Sequence, residues 1–220
     1  MMKIGIDVNG VLRDTILKFD LVYQKNLIEK KNQEFSGQTF KLDVSGNTSP
    51  IELEDDNFNY EKITEVTTLD LINHYLFKSE EELFSFLYED FAMEIFGHAP
   101  STEMTTFNVL NDIYFEFRDQ FDLLIVSNEI GRSKPSTLFF LSKFGCLLEK
   151  VIFYSELTKK NMWNEVNILL TSNPDLLLNK PEDKIVVKYN TNYNKQIESK
   201  YEITSISEFS EIIKKIKNVI

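Results

Sequence analysis

Histidine and cysteine are nearly missing from this chain: two of the first and one of the second among 220 residues. A single cysteine excludes an internal disulfide, and Cys146, set in the apolar run FFLSKFGCLL, reads as a small buried residue rather than a reactive thiol. His74 and His98 have no partner at metal-ligand spacing, so a histidine-based zinc site has no support. Long hydrophobic runs are lacking too. LLIV at 123–126 and ILL at 168–170 fall far short of the roughly 20 apolar residues that span a bilayer. The opening MMKIGIDV passes straight into a strand pattern, without the regions of a secretory signal. These absences predict an intracellular protein with no membrane partner. Positive charge is also scarce: 24 Lys and Arg stand against 35 Asp and Glu, a formal net charge of −11 that opposes binding to nucleic-acid phosphates. Small molecules or protein partners are expected instead.

What the chain does have is enough apolar residue, 42%, to bury a core as one domain or one domain with an insertion. Five runs, KIGIDV (3–8), DLLIVS (122–127), KVIFYS (150–155), VNILLTS (166–172) and KIVVKY (184–189), alternate with helical patterns. Short strands with so few polar positions indicate the α/β class, a parallel sheet covered on both faces. Pro135 and Gly145 bracket a helix between the second and third runs. Near the C-terminus, Ser205 and Glu208 form a capping box that starts a helix with Ile206, Phe209, Ile213 and Ile216 on one face.

Residues 15–100 are too many for a simple crossover, so a mainly helical cap is expected there, leaving 1–14 and 101–220 as the core. Its first helix presents Ile16, Phe19, Tyr23 and Leu27. A loop or short hairpin over SGQTFKLDVSGNTSPIELEDDNFNYEK follows, whose acidic run ELEDD (52–56) is a solvated face open to a basic partner. A second capping box, Ser79 with Glu82, begins a helix carrying Leu83, Phe86, Leu87, Phe91 and Ile95, and STEMTTFNVLNDIYFEF leads helically back to the sheet. Trp163 is expected in the core.

The polar residues that end the apolar runs are the candidate site, because open α/β sheets place ligands at the C-terminal ends of their strands. They are Asp7 and Asn9 after the first run, Ser127 and Asn128 after the second, and Thr171 and Ser172, followed by Asp175, after the fourth.

With these motifs the chain resembles the haloacid dehalogenase-like superfamily, and its layout is similar to the 5′-nucleotidase (deoxyribonucleotidase-like) branch. The resemblance spans most of the chain: DVNGVLRDT for the first motif, then the cap-like insertion, FAMEIFGHAPSTEMTTFNVLNDI leading into LLIVSNE, and NILLTSNPDLLLNKP for the fourth. It implies a Rossmannoid three-layer fold, with Asp7 as the nucleophile that attacks phosphorus and position 9 as the general acid and base. Ser127, Asn128 and a lysine would hold the phosphoryl oxygens. Lys160 is assigned to that place, with Lys159 and Lys134 left open by spacing. Acidic residues after the fourth strand would hold Mg²⁺.

Two departures from the pattern decide the functional expectation. Asn9 stands where a carboxyl should transfer protons, a function typically worth about 10²–10⁴ in rate. Thr171 and Ser172 replace the acidic metal ligands, and neutral hydroxyls compensate poorly for lost charge. Asp7 and Asp175 are left to form at most a weak metal site, and Asp175 after Pro174 also suits a helix N-terminus. The expectation is a degenerate site without cofactor, inactive or strongly attenuated, on a fold kept for a structural or protein-binding role. A larger assembly such as a viral particle is one setting. Two alternatives are an Mg²⁺-dependent phosphohydrolase acting on a nucleotide or similar phosphoester through Asp7, and a metal-independent dehalogenase-like hydrolase, whose fourth motif has a look similar to TSNPD.

Overall fold

The computed structural model describes residues 1–38 and 65–218. Six parallel strands form one sheet: β1 (Met2–Asp7), β2 (Phe121–Asn128), β3 (Val151–Tyr154), β4 (Ile168–Thr171), β5 (Ile185–Tyr189) and β6 (Tyr201–Ile203), in the order β3-β2-β1-β4-β5-β6. The class and the five expected strands are as the sequence indicates, with ends shifted by one or two residues. β6 is an addition. Its three residues, YEI, are too short to give a hydrophobic period, and pairing with β5 defines it.

The near-continuous apolar runs follow from burial on both sheet faces. Ile4, Ile6, Leu123, Ile125, Ile168, Leu170 and Val187 face one layer, against helices α3 (Thr106–Phe117), α4 (Ser133–Lys143) and α7 (Phe209–Lys217). The alternate residues Leu124, Val126, Leu169 and Val186 face the other, against Met162 and Trp163 of α5 (Lys159–Glu165) and Leu176 and Leu177 of α6 (Pro174–Leu178). A period of two that is apolar on both sides yields the three-layer α/β arrangement.

A third apolar cluster joins Phe19, Val22 and Tyr23 of α1 (Thr15–Gln38) to Val66, Tyr75, Phe86, Ile95 and Phe96. The expected faces are therefore used, although the Leu83–Ile95 stretch is not one α-helix. Ser79 caps α2 (Glu80–Ser85), after which the chain widens into π-helical turns at Phe86–Asp90 and Met93–Gly97. The expected hairpin lies outside the described residues, apart from its first three residues, which close α1; the ELEDD run lies wholly outside. Among the described residues no helix is long and apolar enough to cross a membrane.

The crossing from β1 to its neighbours β2 and β4 sets the position of the site: chain order reverses there, opening a crevice at the strand ends. Glu103 closes the opposite flank by accepting from Tyr189 Oη, Ser205 Oγ and Ile206 N. The Ser205 and Glu208 capping box is formed, and it opens a 3₁₀ turn that runs into α7. Replacing Ser205 by Ala removes both the cap and the Glu103 contact. Stability should fall by about 1 kcal/mol, read as a drop of roughly 2–4 °C in Tm; an unchanged Tm would show that the cap contributes nothing.

Candidate functional site

Residues 8–13 turn sharply out of β1. Backbone amides of Val11, Leu12 and Arg13 all donate to Val8 O, and Gly10 N returns to Arg13 O. Gly10 has φ +72°, and a Cβ there would lie 2.0 Å from Tyr193 Oη and 2.4 Å from Ser172 Oγ, so only glycine fits. The turn carries Arg13 inward beneath the strand ends, where it is fully buried.

All five N–H groups of that guanidinium have partners. Nε donates to Thr15 Oγ1, Nη1 to Phe96 O and Thr137 Oγ1 (both 2.7 Å), and Nη2 to Asn9 Oδ1 (2.6 Å) and to Glu129 Oε1. Its faces lie over the rings of Phe96 and Phe140, 5.0 and 5.2 Å from their centroids. Burial pushes the Arg13 pKa down, against the opposing pull of Glu129. Glu129 is 1% exposed, and its Oε1 also accepts from Ser127 Oγ, Thr137 Oγ1 and, at 3.4 Å, Asn9 Nδ2. Its Oε2 has no partner.

Asn9 is thereby fixed at both ends. Its Oδ1 accepts from Arg13 and from Thr15 Oγ1 (2.7 Å), while Nδ2 faces Ser127 and Glu129. Its backbone carbonyl accepts from Ser172 Oγ at 3.0 Å, and Ser172 in turn is bonded to Tyr193 Oη at 2.8 Å. With the Ser172 hydrogen directed at Asn9, the tyrosine is the donor in that pair. Thr171 Oγ1 donates to Asp7 Oδ2 at 2.6 Å. Asp7 itself is 2% exposed and its Oδ1 is unpartnered. Desolvation pushes its pKa up to about 7, opposed by the Thr171 hydroxyl and by backbone amides of the turn, and the nearby Glu129 adds to the rise.

The fold thus gathers Asp7, Asn9, Ser127, Thr171 and Ser172 at the ends of β1, β2 and β4, with Asn128 half-buried beside Ser127. Lys160 is not among them. It lies exposed on α5, while its neighbour Lys159, one residue and about 100° away on the helix, reaches Asp175 and Glu156. Asp175 follows the N-cap Asn173, whose side chain accepts from Asp175 N, and Lys159 holds its carboxyl below the usual range. Lys134 stands apart, over the Phe153 ring. Among the described residues no group of three or more His, Cys, Asp or Glu side chains is arranged to hold a metal ion.

Sequence reasoning missed Arg13, Glu129, Tyr154 and Tyr193. Arg13 and Glu129 carried a signal: Arg13 directly follows the apolar VL of VLRD and Glu129 lies within three residues of the apolar LLIV of LLIVSNE, and a charge buried there demands an opposite one. Tyr193 sits on a loop after β5 that Asn194 anchors by donating to the carbonyls of Ser172 and Tyr189; sequence distance hides that approach.

Solved structures that match this fold include several hydrolases of one kind. They include a haloacid dehalogenase-like hydrolase from Burkholderia xenovorans (10% identity, 97% of both chains, TM-score 0.55). The HAD-hydrolase YfnB of Bacillus subtilis, determined with magnesium bound, matches with 13% identity over 97% of this chain and 98% of that one (TM-score 0.54). A haloacid dehalogenase-like family protein from Streptococcus pneumoniae matches with 10% identity, the same coverage and a TM-score of 0.53. No family model matches the sequence, and the search of curated proteins gave no match. The chain has the haloacid dehalogenase-like fold.

The Asp7 carboxyl gives the site a measurable signature. In the unfolded chain it ionises near pH 4, and in the fold near 7. Between those values the folded state holds a proton that the unfolded state has released, so this group's contribution to stability declines as pH rises and is flat above 7. Asp7→Asn removes the burden. The variant should match the native chain near pH 4 and exceed it by up to on the order of 4 kcal/mol at pH 8, as measured by urea unfolding. A stability difference that does not vary with pH would contradict the buried, proton-holding carboxyl.

Proposed function

We propose that this chain keeps the haloacid dehalogenase-like fold without efficient phosphoester chemistry, and serves a structural or protein-binding role. The observation that carries the reading is the direction of the hydrogen bonds. Thr171 and Ser172 aim their hydrogens at Asp7 Oδ2 and at the Asn9 carbonyl, oxygens that a divalent cation at this place would need. A hard cation requires oxygen lone pairs and carboxylate charge. Mg²⁺ therefore does not fit this donor set.

Proton transfer is equally unsupported. An amide neither gives nor takes a proton at neutral pH, and the Asn9 side chain is immobilised by Arg13 and Thr15. The nucleophile position is weakened as well, since a carboxyl with a pKa near 7 is half neutral at pH 7. Ser127, the expected phosphate contact, donates its hydroxyl to Glu129, and Lys159 is held by Asp175. Loss of one group would leave a slow enzyme; these groups act as a unit, so their penalties do not simply multiply. A strongly acidic, intracellular partner-binding protein, in a viral particle or another assembly, agrees with the charge of −11.

The test is phosphate release from nucleoside monophosphates with Mg²⁺, alongside halide release from a 2-haloacid without metal. Both should stay at the level given by Asp7→Asn. Asn9→Asp should not restore turnover, because a new carboxylate would face Glu129 across the place now bridged by Nδ2, and it should lower Tm. Asp7-dependent release of phosphate or halide would overturn the reading.

A further inference from the structure

Asn9 precedes Gly10, and no other Asn-Gly pair occurs among the 220 residues. Asparagine is a chemically labile side chain, most of all before glycine, where no Cβ keeps the following backbone nitrogen from Cγ. The chain cannot remove the hazard by changing Gly10. A Cβ there would lie 2.0 Å from Tyr193 Oη and 2.4 Å from Ser172 Oγ, so packing itself imposes the glycine that makes Asn9 labile.

The reaction needs only water. Gly10 N bonds to Asn9 Cγ and gives up its hydrogen, the Cγ–Nδ2 bond breaks, and Nδ2 leaves as ammonia, which closes a succinimide ring. Water then opens one of the two imide C–N bonds. Cleavage between Gly10 N and Cγ yields aspartate, and cleavage between Gly10 N and the Asn9 backbone carbonyl carbon yields isoaspartate, whose main chain is longer by the Cβ.

Each group in the first step is tied down here. Gly10 N donates to Arg13 O at 2.8 Å. Asn9 Oδ1 accepts from Arg13 Nη2 at 2.6 Å and from Thr15 Oγ1 at 2.7 Å, while Nδ2 faces Ser127 and Glu129, both at 3.4 Å. The two Oδ1 donors also draw electrons from Cγ, which by itself favours attack. Position outweighs that pull: bond formation drags Cγ and Oδ1 toward the backbone nitrogen and strips a partner from the fully buried Arg13 guanidinium, and an orphaned charged donor costs more than a neutral one.

We propose that Asn9 is a site of spontaneous deamidation, held as the amide by the Arg13 and Thr15 clamp and converted to aspartate or isoaspartate when that clamp opens. The conversion runs one way. A carboxylate at position 9 faces Glu129 where Nδ2 now stands, and isoaspartate also lengthens the turn in which Val8 O accepts from Val11, Leu12 and Arg13. Either product weakens the clamp that preserved the amide, so the chain keeps a covalent record of having been opened.

The full-length chain is incubated in mildly alkaline buffer with and without guanidinium chloride, and the tryptic peptide 4–13, IGIDVNGVLR, is followed by its amide-to-acid mass gain and by isoaspartyl methylation. Conversion in the folded chain should be at least about a hundredfold slower than in denaturant, because it waits on a local opening. Thr15→Val removes one Oδ1 donor and should speed conversion in the folded chain about fivefold, the equivalent of one hydrogen bond. Ser205→Ala, on the opposite flank and of similar cost in stability, should leave the rate unchanged. Chains aged in denaturant and returned to buffer should melt below chains denatured only briefly. Equal rates with and without denaturant, no conversion in denaturant, an acceleration by Ser205→Ala as large as that by Thr15→Val, or aged chains that melt like fresh ones would each overturn the proposal.

Discussion

A buried ion pair, Arg13 with Glu129, organises the crevice end of this molecule. Removing two charges from water is costly and is offset only when geometry and further hydrogen bonds are good. Here the guanidinium is satisfied at every N–H, and one carboxylate oxygen accepts four donors. Each partner belongs to a different piece of chain. Asn9 comes from the turn after β1, Thr15 from the start of α1, Ser127 from the end of β2, Thr137 from α4, and the Phe96 carbonyl from the π-helical segment that packs on α1. Breaking the pair would leave an uncompensated charge where five segments meet.

The neighbouring hydrogen bonds extend the same pattern. Once Arg13 fixes the Asn9 side chain, the Asn9 carbonyl faces Ser172, and the Tyr193 loop closes over Gly10, which has no side chain to obstruct it. Polar groups that lie at the ends of parallel strands, where α/β proteins bind ligands, are here bonded mostly to one another. On the proposed reading this crevice is a joint between layers first. Asp7, deprived of solvent and of a cationic neighbour free to pair with it, holds its proton to about pH 7, as burial of a carboxyl dictates.

The fold was legible in the sequence because its strands are apolar on both faces and its helices have one-sided apolar patterns bounded by capping boxes at their starts and, for α4, Gly145 at its end. β6 was not, since three residues carry no period and only the presence of β5 makes them a strand. The polar ends of β1, β2 and β4 were legible as well: Asp7, Asn9, Ser127, Thr171 and Ser172 meet as their places in chain order imply. Lys160 failed because one residue on a helix turns a side chain by about 100°, a distinction that spacing does not make. Arg13 and Glu129 are 116 residues apart, and the chain gives each a visible oddity, a charge close to an apolar run, without naming its partner. The direction of the hydroxyl hydrogens, on which the functional reading turns, belongs to the folded site alone.

The central claim is that Asp7 Oδ2 and the Asn9 backbone carbonyl are occupied by hydroxyl donors and that the site lacks the carboxylates a hard cation needs. Titrating Mg²⁺ to about 10 mM while following backbone amide signals of residues 7–10 and 171–173 by NMR tests it most directly. The account predicts no saturable shifts, consistent with the missing carboxylate ligands. Saturating shifts with a Kd below about 1 mM, a free energy near −4 kcal/mol, would contradict it.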